Sequence, residues 1–311
     1  MSDITINDVI RKCNSFKPEE LIIDDLKWKY LVRAVMRAKN IMIVGPSGCA
    51  KTMAARCVCK SLARPFFVFN CGGGQDARAT LIGNTVLKKE LGTLFHQSQF
   101  AQAIQTENAV ILLDELTRGG HDFWNILFPV LDPTQRTLRL DEQEGSPTIS
   151  VAKTVCFIAT ANIGNEYTAT RVLDRALSRR FPIKLEMLPL NGEQLKTLFS
   201  ILFPTRTQEQ ITAMGTLIAI SEDLIAQCKM EDAKISTFIS PANIVEMAEL
   251  VMDGFTTEEI AEAAIYPEYP DDGGIGESER VYVKGVVQKH FPKNVKSPIN
   301  DPLASRSRAK F

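Results

Sequence analysis

Eight consecutive residues, Gly45-Pro46-Ser47-Gly48-Cys49-Ala50-Lys51-Thr52, have the types and spacing that polyphosphate chemistry requires. They follow the apolar run Ile41-Met42-Ile43-Val44 and precede Met53-Ala54-Ala55-Arg56. A glycine-bearing turn between a buried strand and a helix presents backbone N–H groups, at the positive end of the helix dipole, to phosphate oxygens. Lys51 then reaches the β- and γ-phosphates, and Thr52 offers its hydroxyl to a magnesium ion. The segment Gly45 to Met53 is therefore the candidate nucleotide-binding loop. The P-loop pattern G-x-x-x-x-G-K-[ST] has glycine where this chain has Ala50. Alanine disfavours positive φ but adds only one methyl, so the loop is expected to close. The plainer alternative is a chance glycine turn between strand and helix.

A second group of residues suits the cleavage of such a phosphate chain. The run Ala109-Val110-Ile111-Leu112-Leu113 ends in Asp114-Glu115. A central strand ending in two carboxylates puts Asp114 where it can hold the magnesium shell and leaves Glu115 to orient a water for attack on the γ-phosphate. Alone, an apolar run followed by Asp-Glu is common as a structural cap; downstream of the phosphate loop it reads as a Walker B element. Another strand, Thr154 to Thr160, leads to Ala161-Asn162, whose amide can bond both a γ-phosphate oxygen and the attacking water and so sense the nucleotide state. In Leu173-Asp174-Arg175-Ala176-Leu177-Ser178-Arg179-Arg180-Phe181 the arginines crowd against an expected last strand, Ile183-Lys184-Leu185. An arginine at a protomer edge can stabilise charge on a neighbour's γ-phosphate, while the simpler reading of the group is surface salt bridging.

These groups need a frame that gathers strand ends. Residues 1–20 are polar and read as a short helical cap, and Trp28 to Lys39 carries Leu31, Val32, Val35 and Met36 at helical spacing. That helix is either a wall for adenine or plain core. Pro65 to Asn70 reads as a second buried strand, ended by Cys71-Gly72-Gly73-Gly74, either a simple loop or a mobile functional one at the ligand edge of a parallel sheet. Thr137 to Leu140 and Thr148 to Val151 flank a polar segment and predict a β-hairpin. Strands give way near Leu188 to helices over Glu193 to Leu202, Gln208 to Ile220, Ser221 to Lys229, Pro241 to Met252 and Thr257 to Ala264, which predicts a domain boundary. Tyr266 to Gly276 reads as a loop, and Ser297 to Phe311, with Arg306, Arg308 and Lys310, as a disordered tail.

Composition narrows the function classes. With 311 residues, 45% hydrophobic and 23% charged, the chain is expected to form two soluble domains. Its apolar stretches look strand-sized, shorter than a bilayer span, and Met1-Ser2-Asp3-Ile4 lacks the layout of a signal peptide, so no membrane partner and a cytoplasmic location are expected. A net charge of −1 argues against bulk nucleic-acid binding, though a positively lined pore could hide within that balance. Seven cysteines, with Cys57 and Cys59 the only close pair, read as free buried thiols, and His96, His121 and His290 form no ligand motif.

Together, G-P-S-G-C-A-K-T, I-L-L-D-E, the hairpin, F-I-A-T-A-N and L-D-R-A-L-S-R-R-F resemble an AAA+ ATPase. More narrowly the chain resembles the MoxR branch, close to the CobS, CbbQ and NirQ type proteins. Ala50 before the lysine, an insertion-like stretch from Leu81-Ile82-Gly83 through Gly92-Thr93-Leu94-Phe95, and the hairpin before Asn162 carry that likeness, which covers about residues 20–265. It implies a P-loop NTPase αβα sandwich with a parallel central sheet over 1–187, an all-helical lid over 188–265, and a C-terminal loop, helix and tail over 266–311. It also implies a hexameric ring with ATP and Mg2+ between subunits, and a protein substrate or a partner with a von Willebrand factor A domain, as in metal-cofactor insertion or enzyme activation. By position, Lys51 and Thr52 match Walker A, Asp114 and Glu115 Walker B, Asn162 sensor 1, and Arg180 the arginine finger, with Arg179 second. One departure is sensor 2: such lids commonly show an arginine near Ser-Pro, whereas Ser240-Pro241 is followed by Ala242-Asn243. Competing readings are a cobaltochelatase ATPase subunit, a nucleic-acid motor, opposed by the charge balance, and a non-hydrolysing switch, opposed by Glu115. The absence of a G-A-F-T-G-A loop opposes a σ54-type activator.

Overall fold

The computed structural model describes residues 5–72, 76–88, 92–162, 174–230, 232–272 and 278–291. Gly73 and Gly74 of the triple glycine, Leu173 and the tail from Ser297 lie outside these residues. Two compact units divide the chain: Met1–Pro204 with Ser240–Ala242, and Thr205–Ile239 with Asn243–Phe311.

The first unit opens with helices α1 (Ile6–Arg11) and α2 (Asp25–Met36), the latter started by the Asp24 carboxylate, which accepts from the N–H groups of Leu26 and Lys27. There follow β1 (Ile41–Val44), α3 (Lys51–Ser61), β2 (Phe66–Asn70), α4 (Ala77–Leu81), β3 (Gly83–Lys88), β4 (Gly92–Gln97), α5 (Gln99–Ala103), β5 (Val110–Asp114) and α6 (His121–Leu131). The unit continues through β6 (Thr137–Arg139), β7 (Thr148–Ser150), β8 (Cys156–Ala161), α7 (Arg175–Arg179), β9 (Ile183–Glu186) and α8 (Gly192–Leu202).

Five strands form a parallel sheet in the order β2-β5-β8-β1-β9. Because successive side chains point to opposite faces, the central strands β5, β8 and β1 each feed two cores. Ile41 and Ile43 pack with Val110, Leu112, Cys156 and Ile158 against α2 and α3. Met42 and Val44 join Ile111, Leu113, Phe157 and Ala159 against α5 and α6. Both faces being covered explains the unbroken apolar runs, and the result is the expected αβα sandwich. Parallel strands also bring the carboxyl ends of β1, β2, β5 and β8 to one edge.

The expected hairpin is β6 paired with β7. The insertion-like stretch is a second antiparallel hairpin, β3 with β4, in which Val86 faces Leu94 and both are exposed.

The second unit holds α9 (Gln208–Cys228), most of α10 (Pro241–Met252), α11 (Thr257–Ile260) and α12 (Glu279–Val287). Two helices are expected over Gln208 to Lys229, but the structure has one. Ser221, read as the start of the second, is a buried interior residue, and Met214, Leu217, Ile218 and Leu224 form a continuous buried stripe past it. Burial of that stripe outweighs the capping preference of serine. At 21 residues α9 is also long and apolar enough, by length and composition alone, to cross a bilayer, which corrects the expectation of strand-sized apolar stretches. Its stripe lies in the core of this unit, and its Asp223 pairs with His290 at 2.7 Å. The expected loop from Tyr266 begins as a short 3-10 turn with Tyr266 and Tyr269 buried, because their rings gain more from the core than a polar loop loses.

Candidate active site

The phosphate loop joins β1 to α3. Gly45 has φ of +149°, and a Cβ there would lie 2.0 Å from the Met187 carbonyl oxygen, so only glycine fits. Gly48, at φ +71°, faces Ser240 so closely that a Cβ would stand 2.3 Å from the serine Cβ. Ala50 takes the left-handed conformation, φ 55° and ψ 25°, which caps α3. The loop therefore closes despite the missing glycine, at a backbone cost of roughly 1–2 kcal/mol.

Lys51 is only 8% exposed. Its ammonium donates to the backbone oxygens of Gly45 (3.0 Å) and Pro46 (2.5 Å), and among the described residues no carboxylate stands within ion-pair distance of it. Burial lowers its pKa, while the charges of Asp114 and Glu115 act in the opposite sense. A buried cation held by carbonyls is a charge that a polyphosphate can balance. Cys49, beside it, is a buried thiol whose pKa burial pushes up to about 11. Met53 is on the exposed side of α3.

Thr52 donates to both Asp114 carboxylate oxygens, at 3.0 and 3.3 Å. The hydroxyl and carboxylate are hard oxygen donors of the kind Mg2+ takes, so the pair fits the ion. Glu115 leaves β5 in the left-handed conformation, φ 54° and ψ 45°, and one of its carboxylate oxygens meets Arg118 Nη1 at 3.0 Å. Asn162 follows β8 directly and is 8% exposed. The neighbouring Ala161 carbonyl accepts from the Gly45 N–H at 3.2 Å, which ties the end of β8 to the first residue of the loop.

The structure thus gathers Lys51, Thr52, Asp114, Glu115 and Asn162 at one sheet edge. Arg180 lies elsewhere. Its carbonyl accepts from the Asn40 side-chain amide, which precedes β1 and so marks the opposite end of that strand, roughly 13 Å away at about 3.3 Å per residue. Its guanidinium pairs with Asp132 at 2.7 Å, while Arg179 and Arg175 are exposed.

Two residues escape sequence reading. Arg118 has no motif of its own. Thr160 does leave a signal, as the one hydroxyl inside the otherwise apolar strand Cys-Phe-Ile-Ala-Thr-Ala. It is 1% exposed, donates to Asp114 Oδ1 at 2.5 Å and accepts from the Glu115 N–H at 2.9 Å.

A parallel sheet with a phosphate loop after β1 and paired carboxylates after β5 defines a P-loop nucleotide-binding domain. Residues 40–181 match the family described as AAA domain (dynein-related subfamily). The chain is 33% identical over 157 residues to "Putative chaperone BssE" of Thauera aromatica, covering 50% of this chain and 53% of that protein. It is 29% identical over 226 residues to "Lon protease homolog, mitochondrial 1" of Dictyostelium discoideum, covering 66% of this chain and 21% of the relative. The chain therefore spans about half or less of the length of these curated relatives.

Proposed function

We propose that this chain is a magnesium-dependent ATP hydrolase that couples nucleotide turnover to the reshaping or activation of a protein partner. The observation that carries this is the buried, carboxylate-free Lys51 beside the Thr52–Asp114 pair, within an AAA domain. Lys51 and the loop N–H groups bind the phosphates, Thr52 and Asp114 hold the ion, and Glu115 orients the attacking water, with Asn162 beside it. When bound, Mg2+ neutralises charge on the phosphate oxygens.

The finer reading is a MoxR-type ATPase acting as a hexameric ring, with a von Willebrand factor A domain partner; a cobaltochelatase-type subunit is a special case of it. The name of the BssE relative, a chaperone, supports a protein substrate. The place of Arg180 and Arg179, at the far end of β1 from their own loop, supports their serving a neighbouring subunit's nucleotide. Seven thiols without a disulfide support a reducing, cytoplasmic setting.

The test is ATP hydrolysis and fluorescent-nucleotide binding side by side. Lys51→Ala should lose both, whereas Glu115→Gln should bind and turn over about 10²–10⁴ times more slowly. A Glu115→Gln protein hydrolysing at the wild-type rate would overturn the assignment.

A further inference from the structure

We propose that Thr160 is a positioning residue that holds the Asp114 carboxylate and the Glu115 backbone of this site, an inference that rests on the nucleotide reading above. β8 presents alternate side chains to the layer containing α3: Cys156, Ile158 and then, in the same register, Thr160. The first two are apolar and the third carries a hydroxyl at 1% exposure. Burying a hydroxyl is costly unless both its proton and a lone pair are used. Here both are used on the site.

The hydroxyl proton goes to Asp114 Oδ1 (2.5 Å), and the oxygen accepts the Glu115 N–H (2.9 Å). At Leu113 the ladder between β5 and β8 is still backbone to backbone, paired with Ala159. Beyond Leu113 the pairing with β8 ends, although Asp114 still pairs with Asn70 of β2, and the Thr160 side chain takes the Glu115 N–H. It thereby marks where the chain turns left-handed at Glu115, a strained conformation for a residue with a side chain.

Among the described residues Asp114 has two hydroxyl donors, Thr52 and Thr160. Thr52 is the candidate ion ligand, so its bond to Asp114 competes with that task. Thr160 is fully buried and has no such second use. It holds the carboxylate whichever way Thr52 turns, and in the same act anchors the backbone of the water-orienting residue. Groups that orient a metal-holding carboxylate in this way commonly alter metal affinity or activity by about 10–100-fold when removed.

The experiment compares Thr160→Val, which keeps the shape and removes the hydroxyl, with Thr160→Ser, which keeps the hydroxyl and removes the methyl. The readouts are the Mn2+ and Mg2+ concentrations needed for tight binding of fluorescent ADP, kcat and KM for ATP, and melting temperature without ligand. Thr160→Val should need about 10-fold or more metal and lose about 10–100-fold in kcat with KM for ATP near wild type, and Thr160→Ser should restore both. If Thr160→Val does not fold, Thr160→Ala against Thr160→Ser makes the same comparison. Unchanged metal dependence and kcat in the hydroxyl-free variant, or a serine variant as impaired as it, overturns the inference alone. A wild-type protein that binds no metal-nucleotide overturns the underlying reading as well.

Discussion

The two ends of the same parallel sheet use polar residues in opposite ways. At the carboxyl edge Asp114 touches Thr52 and Thr160, Glu115 pairs with Arg118, and among the described residues the buried Lys51 ammonium meets carbonyls and no anion. At the amino edge Asn40 bonds the carbonyls of Leu131 and Arg180, and Arg180 is paired with Asp132. The buried Lys51 charge at one edge is held by carbonyls alone, whereas the Arg180 charge at the other is paired with Asp132. On the proposed reading, an arginine at the amino edge serves a neighbour, while the carboxyl edge is prepared within one chain.

The strongest way to break this contrast is Arg180→Ala. If Arg180 serves a neighbour, turnover should fall on the order of 10³-fold with nucleotide binding intact. Wild-type activity per subunit should rise with protein concentration, and mixing Arg180→Ala with Lys51→Ala subunits should restore part of it. If Arg179→Ala shows that loss instead, Arg180 is the anchor and its exposed neighbour the finger.

Asp132→Asn probes the neutralised edge. The Thr134 hydroxyl and N–H, and then Arg180, hold the Asp132 carboxyl below its ordinary value of 3.8. A lowered folded-state pKa stabilises the fold above the unfolded value and loses that contribution as pH falls through the lowered one. The variant should melt below wild type at pH 7, and the gap in melting temperature should close in acid below about pH 4.

Ala50→Gly sharpens the other side. Relief of the left-handed alanine, offset by the greater freedom of glycine in the unfolded chain, should raise stability by about 0.5–1 kcal/mol, readable in urea unfolding. Turnover should persist.

The smallest effect is chemical. Half-buried Cys228 should be alkylated first in the folded protein, while Cys49 and Cys59, their thiols pushed up by burial to about 11 and about 12, and the buried Cys71 and Cys156, also pushed up by burial, should react only on unfolding. Mass spectrometry after timed maleimide treatment reads the order.

Much of the site was legible in the sequence because its parts are local. Strand, loop and helix succeed one another within Ile41 to Ser61, and the apolar run before Asp114-Glu115 signals a strand buried on both faces. The single α9 was not legible, since a buried stripe running past Ser221 is a tertiary fact that a capping residue conceals.

The sequence by itself determined the chemistry: a cation, a hydroxyl and two carboxylates at spacings that suit a nucleotide. Only the tertiary structure decided which groups hold them. Thr52 and Thr160 reach Asp114 across 62 and 46 residues of chain, and Asn40 reaches Arg180 across 140. Those meetings depend on β8 lying between β5 and β1, with β9 outside β1. Strand order is set by packing of both sheet faces against helices, which no local spacing records.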